Sequence, residues 1–414
     1  MAGLGIVAML FAALGNSNAA NRISLTGMGL RSCTRQRKRS LATVALLACG
    51  SFLVIAVGAN KLDANLNAEK RSSGTGGFAL IGESTLPVVH DLNSPAGRDF
   101  FGIDTDTMQG VSIVPMRVRD GDDASCLNLN RAQKPRLLGV KPELLQSRGA
   151  FTFAKIASGL PSENPWLLLQ RRNGDDSVPA LADQNSILWA MGKKVGDTLD
   201  YTDERGRSFK VRLVGGVANS ILQGNLLIDE AEFVARFPGE SGYRMFLIDA
   251  PSNTVTQVSA ALSRALQDVG LELTPAAQRL AAFNAVQNTY LNTFQILGGL
   301  GLLLGSAGLG VVVLRNVLER RGELALLQAV GFRRRSLQWL VLSEHGALLW
   351  LGLGVGIGAA GLAILPALRT PGAEVPFASL TVTLGLVLVS GLVWTWVATW
   401  LALRGRLLNA LRSE

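Results

Sequence analysis

Leu291–Leu314, LNTFQILGGLGLLLGSAGLGVVVL, carries no charged side chain; the chain then turns into RNVLERRGELALLQAVGFRRR over Arg315–Arg335, with six arginines against two glutamates. A helix needs about 20 apolar residues to cross a bilayer. The first string has that length and the second cannot enter hydrocarbon, so together they read as a membrane span followed by a loop held at a membrane surface. Three more runs of the same kind lie outward from this point, at 41–59, 337–365 and 377–403. Basic residues sit at one end of each. Arg31, Arg35, Arg37, Lys38 and Arg39 precede the first, Arg333, Arg334 and Arg335 precede the third, and Arg404, Arg406 and Arg412 follow the last.

The positive-inside rule puts these basic segments in the cytoplasm, at 16–40, 315–336 and 404–414. Segment 60–290 then lies outside, and Pro366–Pro376 is a short outer turn. Trp394, Trp396 and Trp400 gather near the inner end of the last span, as an interfacial aromatic belt does. The expected fold is an α-helical membrane protein of four spans with a large extracytoplasmic mixed α/β domain inserted between the first and second. The expected place is the cell (inner) membrane, multi-pass, with the lipid bilayer itself as a partner.

The composition agrees. Of 414 residues, 48% are hydrophobic and 17% charged, with a mean hydropathy of +0.28; soluble domains carry nearer a quarter charged. The net charge of +9 is unevenly spread. Residues 61–290 hold 24 Lys and Arg against 26 Asp and Glu, and the remainder 16 against 5. A basic excess confined to the flanks of apolar runs is a topology signal and no nucleic-acid surface. Collagen-like, coiled-coil, disulfide-scaffold and disordered classes are excluded.

The first fifteen residues are apolar but too short to span untilted. They read as the end of a preceding span, the chain being the back half of a longer or duplicated membrane protein. A signal peptide cut after Ala19 is the alternative, and it would put the basic cluster 31–39 on the wrong side. Leu46-Leu47-Ala48-Cys49 imitates a lipidation box, but the apolar run continues past it, so Cys49 is expected buried within a span.

In 60–290, Val111–Val114 and Phe209–Val214 are strand-like, and Gly196-Asp197 with Arg205-Gly206 punctuate a hairpin. Val255, Val258, Leu262, Leu266 and Val269 recur at helical spacing. Thr274 looks like an N-cap with Pro275 at the first helical position, opening a helix that runs straight into the second span. No catalytic set emerges. His90 and His345 are the only histidines, Cys33, Cys49 and Cys126 fit no metal spacing, and Asp122 and Asp123 lack the ligand pattern of a calcium loop. No phosphate-binding G-x-x-x-x-G-K-[ST] occurs. An enzyme is not expected, nor any cofactor or metal.

The loop 315–335 carries the strongest functional signal. Leu324, Leu327 and Val330 are placed as a helical stripe, and Gly331 to stop the helix. Glu344 and His345 are the ionisable residues inside the third span, and Glu344 is about two turns from the inner arginines, close enough to pair. Gly301 and Gly305 in the second span and Gly352, Gly354, Gly356 and Gly358 in the third permit close helix contact.

The run ERRGELALLQAVGFRRR over Glu319–Arg335, followed by an apolar span with Glu344 near its start, resembles the hallmark loop of FtsX-like (MacB-type) ABC transporter permeases. Leu41 onward, Leu138–Glu143, Val195–Leu199 and Phe209–Gly216 agree, so the resemblance covers residues 22–414. Gln328 departs from it, since the family often has Arg there; Gly322 is placed to loosen the helix start; and 61–137 matches poorly. The resemblance implies a permease subunit whose loop docks on a separate cytoplasmic ABC ATPase, which uses the ATP. Arg320, Arg321, Glu323 and Arg333 would then make polar contacts, Leu324, Leu327, Val330 and Phe332 the apolar anchor, with Gly331 ending the helix. A second permease subunit or half, as homo- or heterodimer, and an extracytoplasmic adaptor are the other partners it implies. ATP-driven motion of the outer domain would serve export or the handling of lipoproteins, lipids or peptides. A membrane-anchored sensor or scaffold that binds an outer partner without ATP is the alternative.

Overall fold

The computed structural model describes residues 5, 9, 37–65, 67–125, 131–161, 163–171, 177–368 and 377–404. Most of the apolar N-terminal segment, Cys33, Cys126, the link 369–376 and the tail from 405 lie outside these. The chain forms two compact units, one of Leu62–Asn288 and one built on Thr289–Leu368 with the N- and C-terminal segments.

In the first unit the elements follow as β1 (Leu80–Val88), α2 (Pro95–Phe100), β2 (Ser112–Arg119), β3 (Arg136–Val140), α3 (Pro142–Arg148), β4 (Phe153–Ile156), β5 (Val178–Asp183), β6 (Thr198–Thr202), β7 (Ser208–Val217), β8 (Asn225–Asp229), α4 (Glu230–Arg236), β9 (Tyr243–Asp249), α5 (Val255–Ala265) and β10 (Leu271–Pro275). They come after α1 (Arg37–Ala59), which belongs to the other unit. The described strands make one mixed sheet, β10-β1-β9-β2-β3-β8-β5-β7-β4, with β6 paired to β7. Every residue of β5 and β8 is buried, as strands covered on both faces are. Alternation assigns neighbours to opposite layers. Leu138 and Leu227 enter a core around Trp166, Met116 and Leu247, while Leu137 and Leu226 enter another around Phe233 and Val211. The Trp166 indole donates to the Ala150 carbonyl at 2.9 Å, and the Tyr201 hydroxyl to that of Pro135 at 2.7 Å, so neither ring buries an unpaired donor.

The hairpin expected from its glycines is β6–β7, in antiparallel register from Thr198 opposite Arg212 to Thr202 opposite Ser208. The helix expected from Val255 is α5, with Val258 and Leu262 buried. The cap expected at Thr274 is absent. Thr274 pairs with Ile81 and Pro275 with Leu80 at the sheet edge, and the helix α6 starts one residue later, running unbroken from Ala276 to Glu319. An edge strand tolerates proline because no ladder donor is needed there, so pairing with β1 overrides the local cap signal.

Asp183 ends β5 fully buried, and the backbone N–H groups of Ser220 (2.6 Å) and Asn185 (2.9 Å) and the Ser220 hydroxyl (3.0 Å) donate to it. Burial outweighs these bonds and pushes its carboxyl up to about 6. A carboxyl raised on folding stabilises fully below its unfolded value and loses that contribution as pH rises through the folded value. That rise corresponds to on the order of 3 kcal/mol. Asp183→Asn is therefore expected to flatten the fall in melting temperature between pH 4 and 7, followed by near-UV circular dichroism on the full chain in detergent.

The second unit holds α1, most of α6, then α7 (Arg321–Ala329), α8 (Arg334–Leu368) and α9 (Phe377–Arg404). Four of these helices are long and apolar enough to cross a membrane. The glycines sort by face. A Cβ on Gly356 would lie 1.9 Å from Ser51 Oγ and 2.7 Å from the Ala48 carbonyl, and one on Gly352 2.7 Å from Leu47 Cβ; Gly354, Gly358 and Gly301 look onto open space. Two of the six glycines in α8 thus let it close on α1. The α1 face that meets them is Val44, Leu47, Ala48 and Ser51; Leu46, Cys49 and Leu53 point the other way. Cys49 is therefore exposed on the helix surface, against the expectation of burial. Gly356→Ala is expected to cost about 1–3 kcal/mol by overpacking, seen as a lower melting temperature in detergent, with Gly354→Ala unchanged.

Candidate coupling site

The segment between α6 and α8 is built by two backbone breaks. α6 ends at Glu319, and Arg320 leaves helical geometry with φ −103° and ψ 19° before α7 starts. At the far end the Gly331 N–H donates to Gln328 O (3.1 Å) and the Phe332 N–H to Leu327 O (3.1 Å). That pair of bonds is a Schellman cap. It needs Gly331 at φ +106°, a conformation that side chains other than hydrogen rarely adopt. Gly331 therefore stops the helix as the sequence predicts. Gly322 is tolerated inside α7's first turn.

The apolar residues divide differently from the expected stripe. Leu324 is 3% exposed and Ala325 buried, packed with Val313, Val317, Leu337 and Val341, and Leu327 is partly buried on the same core. Leu326 (60% exposed), Val330 (73%) and Phe332 (37%) face outward. Leu324 and Leu327 thus hold α7 onto its own unit, and only Val330 and Phe332 of the expected anchor are presented. Residues six apart on a helix differ by roughly 120°, so Leu324 and Val330 cannot share a face. Leu326 and Val330, four apart, do share one, and that spacing was the signal for Leu326, which the stripe omits.

The polar residues also divide. Arg320 turns inward: its Nη1 is 3.2 Å from Glu344 Oε2 on α8 and its Nε 3.0 Å from Glu323 Oε2 on α7. Arg321 opens α7; Arg333 is exposed, with Arg334 and Arg335. Arg315 pairs with Glu319 one turn on at 2.7 Å. Beside Glu344, His345 Nδ1 lies 3.0 Å from the Val341 carbonyl and Nε2 3.3 Å from Asn316 Nδ2. A carbonyl only accepts, so Nδ1 carries the proton and Nε2 accepts from the Asn316 amide. Glu344 and His345 are thereby tied to the ends of α6 and α7 as a partnered polar cluster rather than isolated charges. In the other unit, His90 is a surface residue stacked on Phe100 (4.0 Å). Asp122 accepts the N–H groups of Gln133 and Lys134, which hold its carboxyl below the usual range.

Removing one partner of a buried ion pair leaves the other charge uncompensated, which costs on the order of 3 kcal/mol. The Glu344 side chain is 10% exposed. Arg320→Ala is expected to lower stability in detergent clearly, and Arg320→Ala with Glu344→Gln to recover most of the loss, since the second change removes the stranded charge.

This geometry sits within a recognised region. Residues 296–407 match the family model described as FtsX-like permease C-terminal, from within α6 through α9. A curated relative, the macrolide export ATP-binding/permease protein MacB of Azoarcus sp. (strain BH72), is 29% identical over 175 residues, 40% of this chain and 25% of that protein. The chain therefore spans about a quarter of the length of that relative. The periplasmic region of MacB from Actinobacillus actinomycetemcomitans aligns over 52% of this chain and 95% of its own at 12% identity, with a TM-score of 0.27, too slight a likeness to argue from. Residues 296–407 are thus similar to the C-terminal part of FtsX-like permeases. The FtsX-like resemblance read from Glu319–Arg335 falls inside that match.

Proposed function

We propose that this chain is the membrane subunit of an ABC transporter that works with an ATPase on a separate subunit. The single observation that carries the reading is the outward row Leu326, Val330 and Phe332 on a short helix capped at Gly331 and bound through Arg320 to Glu344. A partner groove that takes an amphipathic helix needs such a row. A helix fixed at both ends can pass force on rather than yield. Glu323 and the exposed Arg333 supply polar groups at its edge.

In this reading the four apolar helices cross the cell membrane, the basic segments are cytoplasmic, and the β-rich unit lies outside. ATP is bound by the partner and not by this chain. The unbroken α6 carries movement between loop and outer domain. That movement serves export or the handling of lipoproteins, lipids or peptides. A second permease copy or half completes the membrane part, and an extracytoplasmic adaptor has the outer domain to bind.

Affinity purification from gently solubilised native membranes tests the reading. Leu326→Asp with Val330→Asp is expected to release a stoichiometric P-loop ATPase that the unchanged chain retains, with little change in melting temperature because both side chains are exposed. Leu327→Asp disturbs the packing of α7 and serves as the contrasting variant. Equal recovery of the ATPase with the double variant refutes docking through this face. Absence of any ATPase with the unchanged chain favours a scaffold that works without ATP.

A further inference from the structure

With the apolar helices taken as membrane spans, as proposed above, α8 and α9 leave a groove that the coupling role does not use. On α8, Arg335, Gln338, Trp339 and Leu342 follow one helical face. On α9, Trp396 and Trp400 stand one turn apart. These side chains line a groove of about 220 Å³. Trp339 is 66% and Trp396 57% exposed, so the indoles form walls rather than core. Thr399, also in the lining, donates its hydroxyl to the Thr395 carbonyl at 2.7 Å, so that proton is committed to the helix.

The chemistry of the lining is one-sided. It holds a permanent cation in Arg335, indole N–H donors, the Gln338 amide and broad apolar surfaces, and no acidic side chain. Such a lining complements a molecule with an anionic head and an apolar body. The groove lies at the basic end of both helices, within the first three turns of α8 and the last three of α9. Tryptophan concentrates at membrane interfaces at that depth, and basic pockets between helices there recognise anionic headgroups.

We propose that the groove between α8 and α9 binds an anionic phospholipid of the adjoining leaflet. Its phosphate pairs with Arg335, and its glycerol and upper acyl chains lie on Trp339, Trp396 and Leu342. A lipid phosphate neutralises Arg335 where it stands, whereas a second copy of the chain seated there brings no acid from this lining to meet it. Arg335 is in the first turn of α8, four residues past Gly331, so an occupied groove fixes where α8 leaves the surface.

The test is tryptophan quenching on the full chain in phosphatidylcholine vesicles carrying an equal fraction of brominated phosphatidylglycerol or brominated phosphatidylcholine. The groove's share is the difference between the chain and its Trp396→Phe, Trp400→Phe variant. One basic side chain near the surface favours an anionic lipid about fivefold, so the brominated anionic lipid is expected to quench that share several times more strongly. Arg335→Gln is expected to abolish the preference, while Arg334→Gln, on the same turn but outside the lining, retains it. Equal quenching by both lipids, or equal loss with both arginine variants, overturns the site in favour of bulk lipid or diffuse attraction. Quenching of Trp350 but not of the groove shows another protein or a second copy covering it, and also overturns it. No quenching even of Trp350, exposed farther along α8, is instead the failure of the membrane-spanning reading itself.

Discussion

The Arg320 guanidinium bridges Glu344 on one helix and Glu323 on another, and the arrangement of the basic loop depends on that bridge. Arg320 is the residue at which the long helix α6 stops. A charge at a helix break beside a long apolar helix must be solvated by something, and here two carboxylates do it. The outcome is that α7 cannot swing as a free linker. Its inner face is held by Leu324 and Ala325, and its end is fixed by a cap that only glycine fits well. The face left over is apolar because the inward positions were already filled.

A similar economy governs the close contact between α1 and α8. Where two apolar helices close on each other, van der Waals contact and locally satisfied polar groups hold them together. Gly352 and Gly356 give α8 the approach it needs, and the hydroxyl of Ser51, opposite Gly356, is satisfied by donating to the Leu47 carbonyl at 2.8 Å. In the β-rich unit apolar burial does the holding. Two apolar layers enclose a sheet whose central strands are buried on both faces. Asp183 is a fully buried carboxyl within it, held at a strand end by donors from Ser220 and Asn185 and penalised by its burial.

Where local pattern and long-range contact agreed, the elements were legible in advance. The hairpin β6–β7, the helix α5 and the stop at Gly331 all come from residues that constrain their own backbone. Thr274-Pro275 shows the opposite case. The cap signal there was sound as local chemistry, but strand pairing with β1, nearly two hundred residues earlier, decided the backbone. Of the candidate site, the segment and its glycine stop were legible, and so was the partnering of Glu344 with an inner arginine. The inward turn of Arg320, the burial of Leu324 and the exposure of Leu326 were not.

The sequence by itself determined the apolar runs, the basic loop and its end, and the mixed α/β character of the intervening residues, because length, charge and periodicity act within a few residues of one another. The tertiary structure alone decided which face of α7 is inside, which glycines of α8 meet α1, and that Cys49 points outward. Those outcomes depend on helical phase relative to a neighbour. A shift of one residue turns a side chain by about 100°, and only the packing of a second helix says which direction is the core.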